Sequence, residues 1–187
     1  MVAMRITGGK YRGRTVFCPP GIIRPAMDRM RTSLFSILGP LDGLSFLDLF
    51  SGSGLVGLEA ASRGAGPVDL VEKDFGKKAV IQRNLAWVEE DVKLHLADVK
   101  AFLKRATRRW DVIYADPPFP MEGKLEVLRL VADRNLLEPR GSLLMHYPDE
   151  ETFPETVGPL VRYDHREYGR SQVVFYTRPL SEPAAPV

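Results

Sequence analysis

The chain has 187 residues, of which 44% are hydrophobic and 27% are charged, a composition that fits one compact domain with a buried core. No apolar run approaches the roughly 20 residues that a membrane-spanning helix needs, and the basic, Gly-rich start lacks the apolar stretch of a secretory signal. The single cysteine, Cys18, excludes an internal disulfide and fits a reduced, cytoplasmic setting.

The formal net charge of +2 hides an uneven distribution. Residues 1–31 contain seven arginines and lysines against one acid, a surplus of six positive charges, while the rest of the chain has a surplus of four negative charges. Such a basic segment is typical of a nucleic-acid-binding extension, because each cation placed on a phosphate releases a condensed counterion. A solvated charged terminus is the alternative.

The first 40 residues are expected to form an extension of their own. Residues 8–16 form a predicted turn-rich β-hairpin or extended arm, which Pro19-Pro20-Gly21 ends. Arg24-Pro25 leads into a predicted helix that runs from Asp28, its N-cap, to Leu38.

From Ser45 onward, predicted strands alternate with predicted helices. The strands are expected at 46–50, 68–72, 92–97, 110–115, 142–147, 161–167 and 172–177. The helices are expected from the Gly52–Gly57 turn to about 64, and at 75–88, 99–106 and 123–135. This alternation predicts an α/β, Rossmann-like domain over 41–178, with a seven-stranded, mostly parallel sheet and a C-terminal antiparallel hairpin. Residues 179–187 are expected to be a disordered tail.

A glycine-rich turn follows the first predicted strand of this domain, with the sequence Asp48-Leu-Phe-Ser-Gly52-Ser-Gly54-Leu-Val-Gly57. Its glycines allow a tight turn, and the helix after it exposes N–H groups. The spacing also satisfies the dinucleotide fingerprint, so a nicotinamide cofactor is a competitor.

Asp48 argues against a dinucleotide, because a carboxylate near the pocket floor repels a pyrophosphate. It favours a cofactor that carries an ammonium and a sulfonium, as S-adenosylmethionine does. A loop-tethering or helix-capping aspartate is the alternative. The predicted cofactor-binding residues are Asp48, Phe50, Ser51, Gly52, Gly54, Glu72, Lys73, Asp98, Val99 and Asp116.

Two of these acids, Glu72 and Asp98, lie at the ends of neighbouring predicted strands. In an open parallel sheet, ligands bind beyond the carboxyl ends of the strands, so both acids face one crevice. Glu72 is assigned to the ribose hydroxyls, and Asp98 to the adenine together with the Val99 backbone N–H. An ordinary N-cap is the alternative for Asp98, and it can serve both purposes.

Asp116-Pro117-Pro118-Phe119 ends the fourth predicted strand and is the most informative tetrapeptide of the sequence. The prolines hold the chain extended and leave carbonyls free, so a carboxylate and a carbonyl form a cradle of acceptors that suits an –NH2 group. Phe119 offers a face on which an extruded base can stack. The tetrapeptide therefore predicts a catalytic clamp for the exocyclic amine of a nucleic-acid base, against the alternative of a proline-rich strand terminator.

These segments resemble the RsmD family, bacterial methyltransferases that act on one guanine N2 of the small-subunit (16S) ribosomal RNA. The similar stretches are 4–14, 24–35, 48–64, 71–73, 116–119 and 168–169. The resemblance implies the class I methyltransferase fold, S-adenosylmethionine as donor, Asp116 to Phe119 as the amine clamp, and a cytoplasmic monomer that acts on an assembled or assembling subunit. Ala26 and Thr32 depart from the family pattern, which usually has Thr and Glu there.

The resemblance also implies that the basic arm and Arg24 to Arg31 hold the RNA and close over the cofactor. The predicted RNA contacts are Arg5, Lys10, Arg12, Arg14, Arg24, Arg29, Arg31 and Tyr168. Tyr168 and Gly169 are either part of the target-base pocket or a plain turn. The three histidines, His95, His146 and His165, show no metal-ligand spacing and are expected to have structural or surface roles.

Three rival functions remain open at the level of sequence. A DNA adenine-N6 methyltransferase would use the same clamp, because a cradle of acceptors accepts either amine. A nicotinamide-dependent oxidoreductase explains the glycines and Glu72 but leaves Asp48 and Asp116 to Phe119 without a function. A non-catalytic ribosome-assembly factor would share only the basic arm.

Overall fold

A computed structural model describes residues 2–19 and 25–180 of the chain, with the side chains of residues 25–27 excluded. Arg24, the side chain of Ala26 and the predicted tail from residue 181 onward therefore lie outside the described residues. Within the described ranges, no helix is long and apolar enough to traverse a lipid bilayer.

The described residues form ten strands and five α-helices. The strands are β1 (Val2–Arg5), β2 (Thr15–Cys18), β3 (Phe46–Leu49), β4 (Val68–Glu72), β5 (Val92–Leu96), β6 (Trp110–Ala115), β7 (Leu137–Pro148), β8 (Thr156–Val157), β9 (Leu160–Tyr168) and β10 (Ser171–Thr177). The helices are α1 (Pro25–Leu38), α2 (Leu55–Ser62), α3 (Lys78–Leu85, after a 3-10 turn at Phe75–Lys77), α4 (Val99–Arg105) and α5 (Lys124–Asp133).

Eight of these strands form one sheet in the order β5-β4-β3-β6-β7-β10-β9-β8. The strands from β5 to β7 are parallel, whereas β10 lies antiparallel between β7 and β9. This confirms the predicted α/β fold with a mostly parallel sheet and a C-terminal antiparallel hairpin. The eighth strand, β8, was not predicted because two residues are too few to show a periodic pattern.

One local prediction for α1 was wrong. The helix begins at Pro25, so Asp28 lies in its first turn and is not the N-cap. Proline is tolerated there because the first N–H groups of a helix have no intrahelical partner. Asp28 instead forms an ion pair with Arg31 at 2.8 Å.

Both faces of the sheet are covered, and the alternation of side chains along β3 assigns each residue to a face. Leu47 and Leu49 pack in a core cluster with residues of α4 and α5. Phe46 packs in a second cluster with residues of α1, α2 and α3. Asp48 alternates with the two leucines and therefore lies on the face of Phe46 and α2.

The strand order of the sheet reverses at β3, so that β4 and β6 lie on opposite sides of it. The chain passes from β3 outward to β4 and β5, then returns to place β6 on the other side of β3. The carboxyl ends of β3 and β6 are therefore adjacent, with Leu49 paired to Ala115. Asp116 and Phe50 follow these paired residues directly, so the fold brings both predicted motifs to one edge.

The N-terminal basic segment is a docked hairpin and not an extended arm. β1 and β2 pair antiparallel, with Arg5 opposite Thr15. The loop between them is held at the C-terminal end of α2, where the Lys10 N–H donates to Ser62 O at 2.7 Å and the Tyr11 N–H donates to Ser62 Oγ at 2.9 Å.

Glu59 of α2 is the main polar anchor of this hairpin. Its fully buried carboxylate accepts hydrogen bonds from the N–H groups of Thr7 and Gly8, each at 2.9 Å. It also pairs with Arg63 at 3.0 Å and with Arg31 of α1 at 3.3 Å. One buried carboxylate thus joins the hairpin, α1 and α2.

Replacing Glu59 by Gln should destabilise the protein by roughly 3 kcal/mol, because it removes a buried negative charge while two arginines and two N–H groups keep their positions. Chemical unfolding gives the free energy of unfolding directly. Glu89→Gln is the matched control, since Glu89 is exposed and pairs only with Lys10 in the described structure. Equal stability of the two variants would contradict the anchoring role of Glu59.

Candidate functional site

The glycine turn after β3 has the backbone that its sequence predicts. Gly52 and Gly54 adopt positive φ angles of 59° and 80°. A Cβ on Gly57 would lie 2.2 Å from Leu70 Cδ2, so a glycine there allows α2 to pack closely on β4. The Gly57 N–H donates to Asp48 Oδ2 at 2.9 Å, so Asp48 tethers the start of α2. The predicted alternative role of Asp48 is therefore present, and the other carboxylate oxygen is left for a ligand.

The ionised form of Asp48 is strongly disfavoured in the ligand-free protein. Burial, together with the negative charges of Asp116 and Glu72, raises the pKa of Asp48 to about 8, and the Gly57 hydrogen bond opposes this only in part. A cationic ligand group beside Asp48 would lower this pKa, because it favours the ionised carboxylate.

Glu72 is buried at the end of β4 and organises the turn around it. Its Oε2 accepts from the Gly52 N–H at 2.9 Å, and its Oε1 accepts from the Asp74 N–H at 2.9 Å. Lys77 donates to Oε2 at 3.2 Å. Because a carboxylate offers about four acceptor positions, one on Oε1 remains for a ligand hydroxyl.

The third predicted cofactor segment lies at the start of α4. Asp98 caps this helix by accepting from the Ala101 N–H at 3.0 Å, and its side chain is exposed. Val99 lines the same cavity as Glu72, whereas Asp98 does not. The N-cap role is thus present, and the adenine contact of Asp98 stays a prediction.

Asp116 stands at the junction of β6 with the proline pair. Its N–H donates to Leu49 O at 3.3 Å, which ties it to the end of β3. Its Oδ1 lies 2.6 Å from His146 Nδ1. The Phe119 ring meets the edge of the His146 ring, with the centroids 5.2 Å apart.

A buried lysine holds the loop after the proline pair. Lys124, at the start of α5, donates to Phe119 O at 2.7 Å and to Met121 O at 2.8 Å, and it pairs with Glu151. Sequence reasoning missed this residue because a lysine at a helix start is usually exposed.

Two cavities meet at these residues. The first, of about 310 Å³, is lined by Asp48, Ser51, Arg31, Tyr114 and Cys18 among others. The second, of about 490 Å³, is lined by Glu72, Lys73, Val99, Asp116 to Phe119, His146 and others. Phe50, Lys77 and Asp116 line both, so the cavities are adjacent, and together they are called the crevice below.

Two hydroxyl groups of the first cavity are available to a ligand. Ser51 Oγ is buried there without a hydrogen-bond partner. Burial and the nearby carboxylates of Asp116 and Asp48 raise the pKa of Tyr114 well above its ordinary value, so the hydroxyl keeps its proton. The cavity therefore presents both donors and a carboxylate to a ligand.

Arg31 was predicted to contact RNA, and its position does not support this. The residue is only 4% exposed, it donates to Arg5 O at 2.8 Å, and it lines the first cavity. The sequence gave no sign that Arg31 is buried, because its ion pair with Glu59 joins residues that are distant in the chain.

The hairpin cations lie away from the crevice. α2 begins at the crevice and ends at Ser62 on the opposite edge of the sheet, where the loop docks. Lys10 pairs there with Glu89 at 2.6 Å, Arg14 stacks over Trp87 at 5.3 Å, and Arg12 is exposed. These three residues line neither cavity, but Met4, Cys18 and Pro19 of the same N-terminal segment line the first, so closure of the arm over the cofactor stays a prediction.

The remaining predicted RNA contacts occupy different surroundings. Arg5 and Arg29 are exposed. Tyr168 is half-buried and its hydroxyl shares a 2.7 Å hydrogen bond with Ser33 of α1, so it braces α1 against the C-terminal hairpin. Tyr168 lines neither cavity, whereas Ser171 of the same hairpin lines the second.

His146 is a second residue near the site that the sequence analysis did not connect with it. It was expected to have a structural or surface role, and it lies buried beside Asp116 and lines the second cavity. The two residues meet because β6 pairs with β7 in a register that aligns Ala115 with Met145, and hence Asp116 with His146. The sequence alone does not show this register, so it gave no signal for the role of His146.

Asp48→Asn tests the charge on Asp48, because the amide oxygen still accepts from Gly57. A carboxyl whose pKa is about 8 when folded and near 3.8 when unfolded lowers stability progressively as pH rises between these values. In ligand-free protein, the stability of the variant relative to wild type should therefore rise by roughly 4 kcal/mol between pH 5 and pH 9. Urea unfolding at pH 5, 7 and 9, with exposed Asp133→Asn as control, measures this. A pH-independent difference would contradict it.

Comparison with known proteins places the chain in a family. A family model described as "Conserved hypothetical protein 95" matches residues 4–177. The "Putative rRNA methyltransferase YlbH" of Bacillus subtilis is 32% identical over 182 residues, covering 94% of this chain and 99% of that protein. The "Ribosomal RNA small subunit methyltransferase D" of Escherichia coli K12 is 32% identical over 176 residues, covering 92% and 87%.

A solved structure agrees with the sequence relatives. The "Putative methyltransferase yhhF from Escherichia coli" superposes with a TM-score of 0.85 at 28% identity, covering 96% of this chain and all of that one. The family match, the curated relatives and this structure each span nearly the whole chain. The protein therefore belongs to the RsmD family, whose model is described as Conserved hypothetical protein 95.

Proposed function

We propose that this protein is an S-adenosylmethionine-dependent methyltransferase of small-subunit ribosomal RNA, and that its target is the exocyclic N2 of a guanine. The observation that carries the proposal is the meeting of the two cavities at Asp116 and Phe50. A donor that spans both cavities would place its sulfonium at this junction, beside a target amine held by Asp116. The names of the curated relatives support methyl transfer to ribosomal RNA.

The first cavity suits the amino-acid end of S-adenosylmethionine. Asp48 would hold the ammonium, which favours its ionised form despite burial. Ser51 Oγ, which is buried without a hydrogen-bond partner, and the guanidinium of Arg31, which lines the cavity, are suited to the carboxylate. This assignment gives Arg31 a role in cofactor binding in place of the predicted RNA contact.

The ribose and adenine would extend into the second cavity. Glu72 keeps an acceptor position for a ribose hydroxyl, and Val99 lines the wall beyond it. Phe50, with a φ angle of 64°, stands where the cavities join. A positive φ at a non-glycine residue is a strained conformation that occurs often at ligand sites.

Asp116 to Phe119 would bind the target amine. An oxygen of Asp116 and a backbone carbonyl of the proline pair would accept its two hydrogens, which would orient the nitrogen and stabilise the positive charge that develops on it. Phe119 stacks on the extruded base. S-adenosylmethionine supplies the methyl group, whose C–S bond breaks as the C–N bond forms, and the amine then loses one proton to Asp116 or water.

The choice of guanine over adenine rests on the family resemblance, because the clamp accepts either amine. A nicotinamide cofactor fits less well, since Asp48 would face its pyrophosphate. If the protein were a non-catalytic assembly factor, the crevice would have no function. The product nucleoside distinguishes all of these possibilities.

The RNA would lie along the flank formed by α3 and the hairpin. Lys78 and Arg83 are on the exposed side of α3, and Arg83 stacks over Phe17 of β2 at 3.7 Å. This helix leads from the crevice toward Arg12 and Arg14, a length of about 12 Å. A ribosomal RNA is large enough to contact both ends of the flank.

Labelled methyl transfer to small ribosomal subunits from cells lacking this enzyme tests the function. N2-methylguanosine should appear with wild-type protein, and Asp116→Ala should reduce its formation at least 100-fold while cofactor affinity stays within a few-fold. Asp133→Ala is the control. N6-methyladenosine would overturn the guanine assignment, and near-normal turnover of Asp116→Ala would overturn the role of that residue.

Replacing Arg12 and Arg14 by Ala should weaken RNA binding and flatten its salt dependence, because fewer counterions are released. Lys104 and Arg105 at the end of α4 provide a matched double-Ala control, since both are exposed and lie at the edge opposite the crevice. Binding is measured across a series of salt concentrations. A salt slope equal to that of the control variant would remove the hairpin loop from the interface.

A further inference from the structure

Asp116 is held by a histidine that sequence reasoning did not connect with it. Its Oδ1 lies 2.6 Å from Nδ1 of His146, which stands on β7 beside the end of β6. The His146 residue is only 4% exposed, and its Nε2 is buried without a hydrogen-bond partner. Phe119 packs against the ring edge and limits its rotation.

These contacts determine where the imidazole carries its proton. An ionised carboxylate only accepts hydrogen bonds, so the short contact with Asp116 requires a proton on Nδ1. A proton on Nε2 would be a buried donor without an acceptor, which is costly. This geometry favours the tautomer that carries its proton on Nδ1. Glu72, Lys73, Asp74 and Lys77 face it only across the second cavity, and Ser171 is the polar neighbour from β10.

We propose that His146 is a positioning residue for methyl transfer: its Nδ1–H fixes one oxygen of Asp116 so that the other oxygen faces the target amine. This inference rests on the proposed function. His146 keeps its proton throughout, so the bonds that form and break in the transfer step are unchanged. Its effect comes through the orientation of Asp116.

The position of Asp116 explains why such support is needed. The side chain is 28% exposed, and the carboxylate of Asp48 is close enough to repel it. The Tyr114 hydroxyl also interacts with Asp116, so His146 is one of two groups that orient this carboxylate. Without the Nδ1–H of His146, the carboxylate would be freer to turn toward water and away from Asp48. Misplacement of a catalytic group by about 1 Å is enough to lower a rate about 100-fold.

The choice of substitutions separates positioning from packing. Asn places its amide nitrogen near the position of Nδ1, whereas Gln places it near the position of Nε2. We expect His146→Gln and His146→Leu to lower kcat about 100-fold with little change in KM or in the affinity for S-adenosylmethionine, and His146→Asn to stay within about 5-fold of wild type. Equal losses in all three variants, or wild-type rates in His146→Leu, would overturn the proposal.

A spectroscopic measurement tests the pair without relying on activity. The 15N shifts of the His146 ring in wild-type protein should report a neutral imidazole with the proton on Nδ1, and Asp116→Ala should remove that preference. A proton on Nε2, or a charged ring at pH 7, would contradict the inference even if a variant failed to fold. If wild-type protein methylates no RNA but the ring has the expected tautomer, the proposed function fails and the Asp116–His146 pair stands.

Discussion

The adjacency of β3 and β6 is the constraint on which the rest of the site depends. Because these strands are neighbours and parallel, the glycine turn after one and the proline pair after the other emerge at the same edge of the sheet. Asp48 and Asp116 are thereby brought close enough that each carboxylate affects the ionisation of the groups around it. A crevice with this charge and burial favours a cationic ligand and a target with hydrogen-bond donors.

The local patterns of the sequence were sufficient to predict this framework. The buried strand Phe46–Leu49, the turn at Gly52 and Gly54, and the strand that ends at Asp116 all follow from periodicity and turn chemistry close in the chain. Since parallel strands share a carboxyl edge, Glu72 and Asp98 were predicted to face one crevice, and of these two Glu72 lines the second cavity whereas Asp98 does not. Three features that short-range patterns specify were therefore predictable without a structure.

The features that were missed depend on contacts between distant residues. His146 reaches Asp116 only because β7 pairs with β6 in one particular register, 30 residues further along the chain. Arg31 is buried by its pairing with Glu59 of another helix, so its charge could not be distinguished from that of the exposed arginines around it. The sequence shows which charged residues are present, but the fold decides which of them are buried and which partner each one contacts.

A crystal structure of the protein with S-adenosylhomocysteine would show whether one crevice holds the sulfonium donor beside Asp116. We expect the amino-acid end beside Asp48 and Arg31, the ribose at Glu72, and the sulfur between the Gly52 turn and Asp116. A sulfur bound away from this junction, or an Asp116 side chain turned away from it, would show that the donor and the target amine do not meet there.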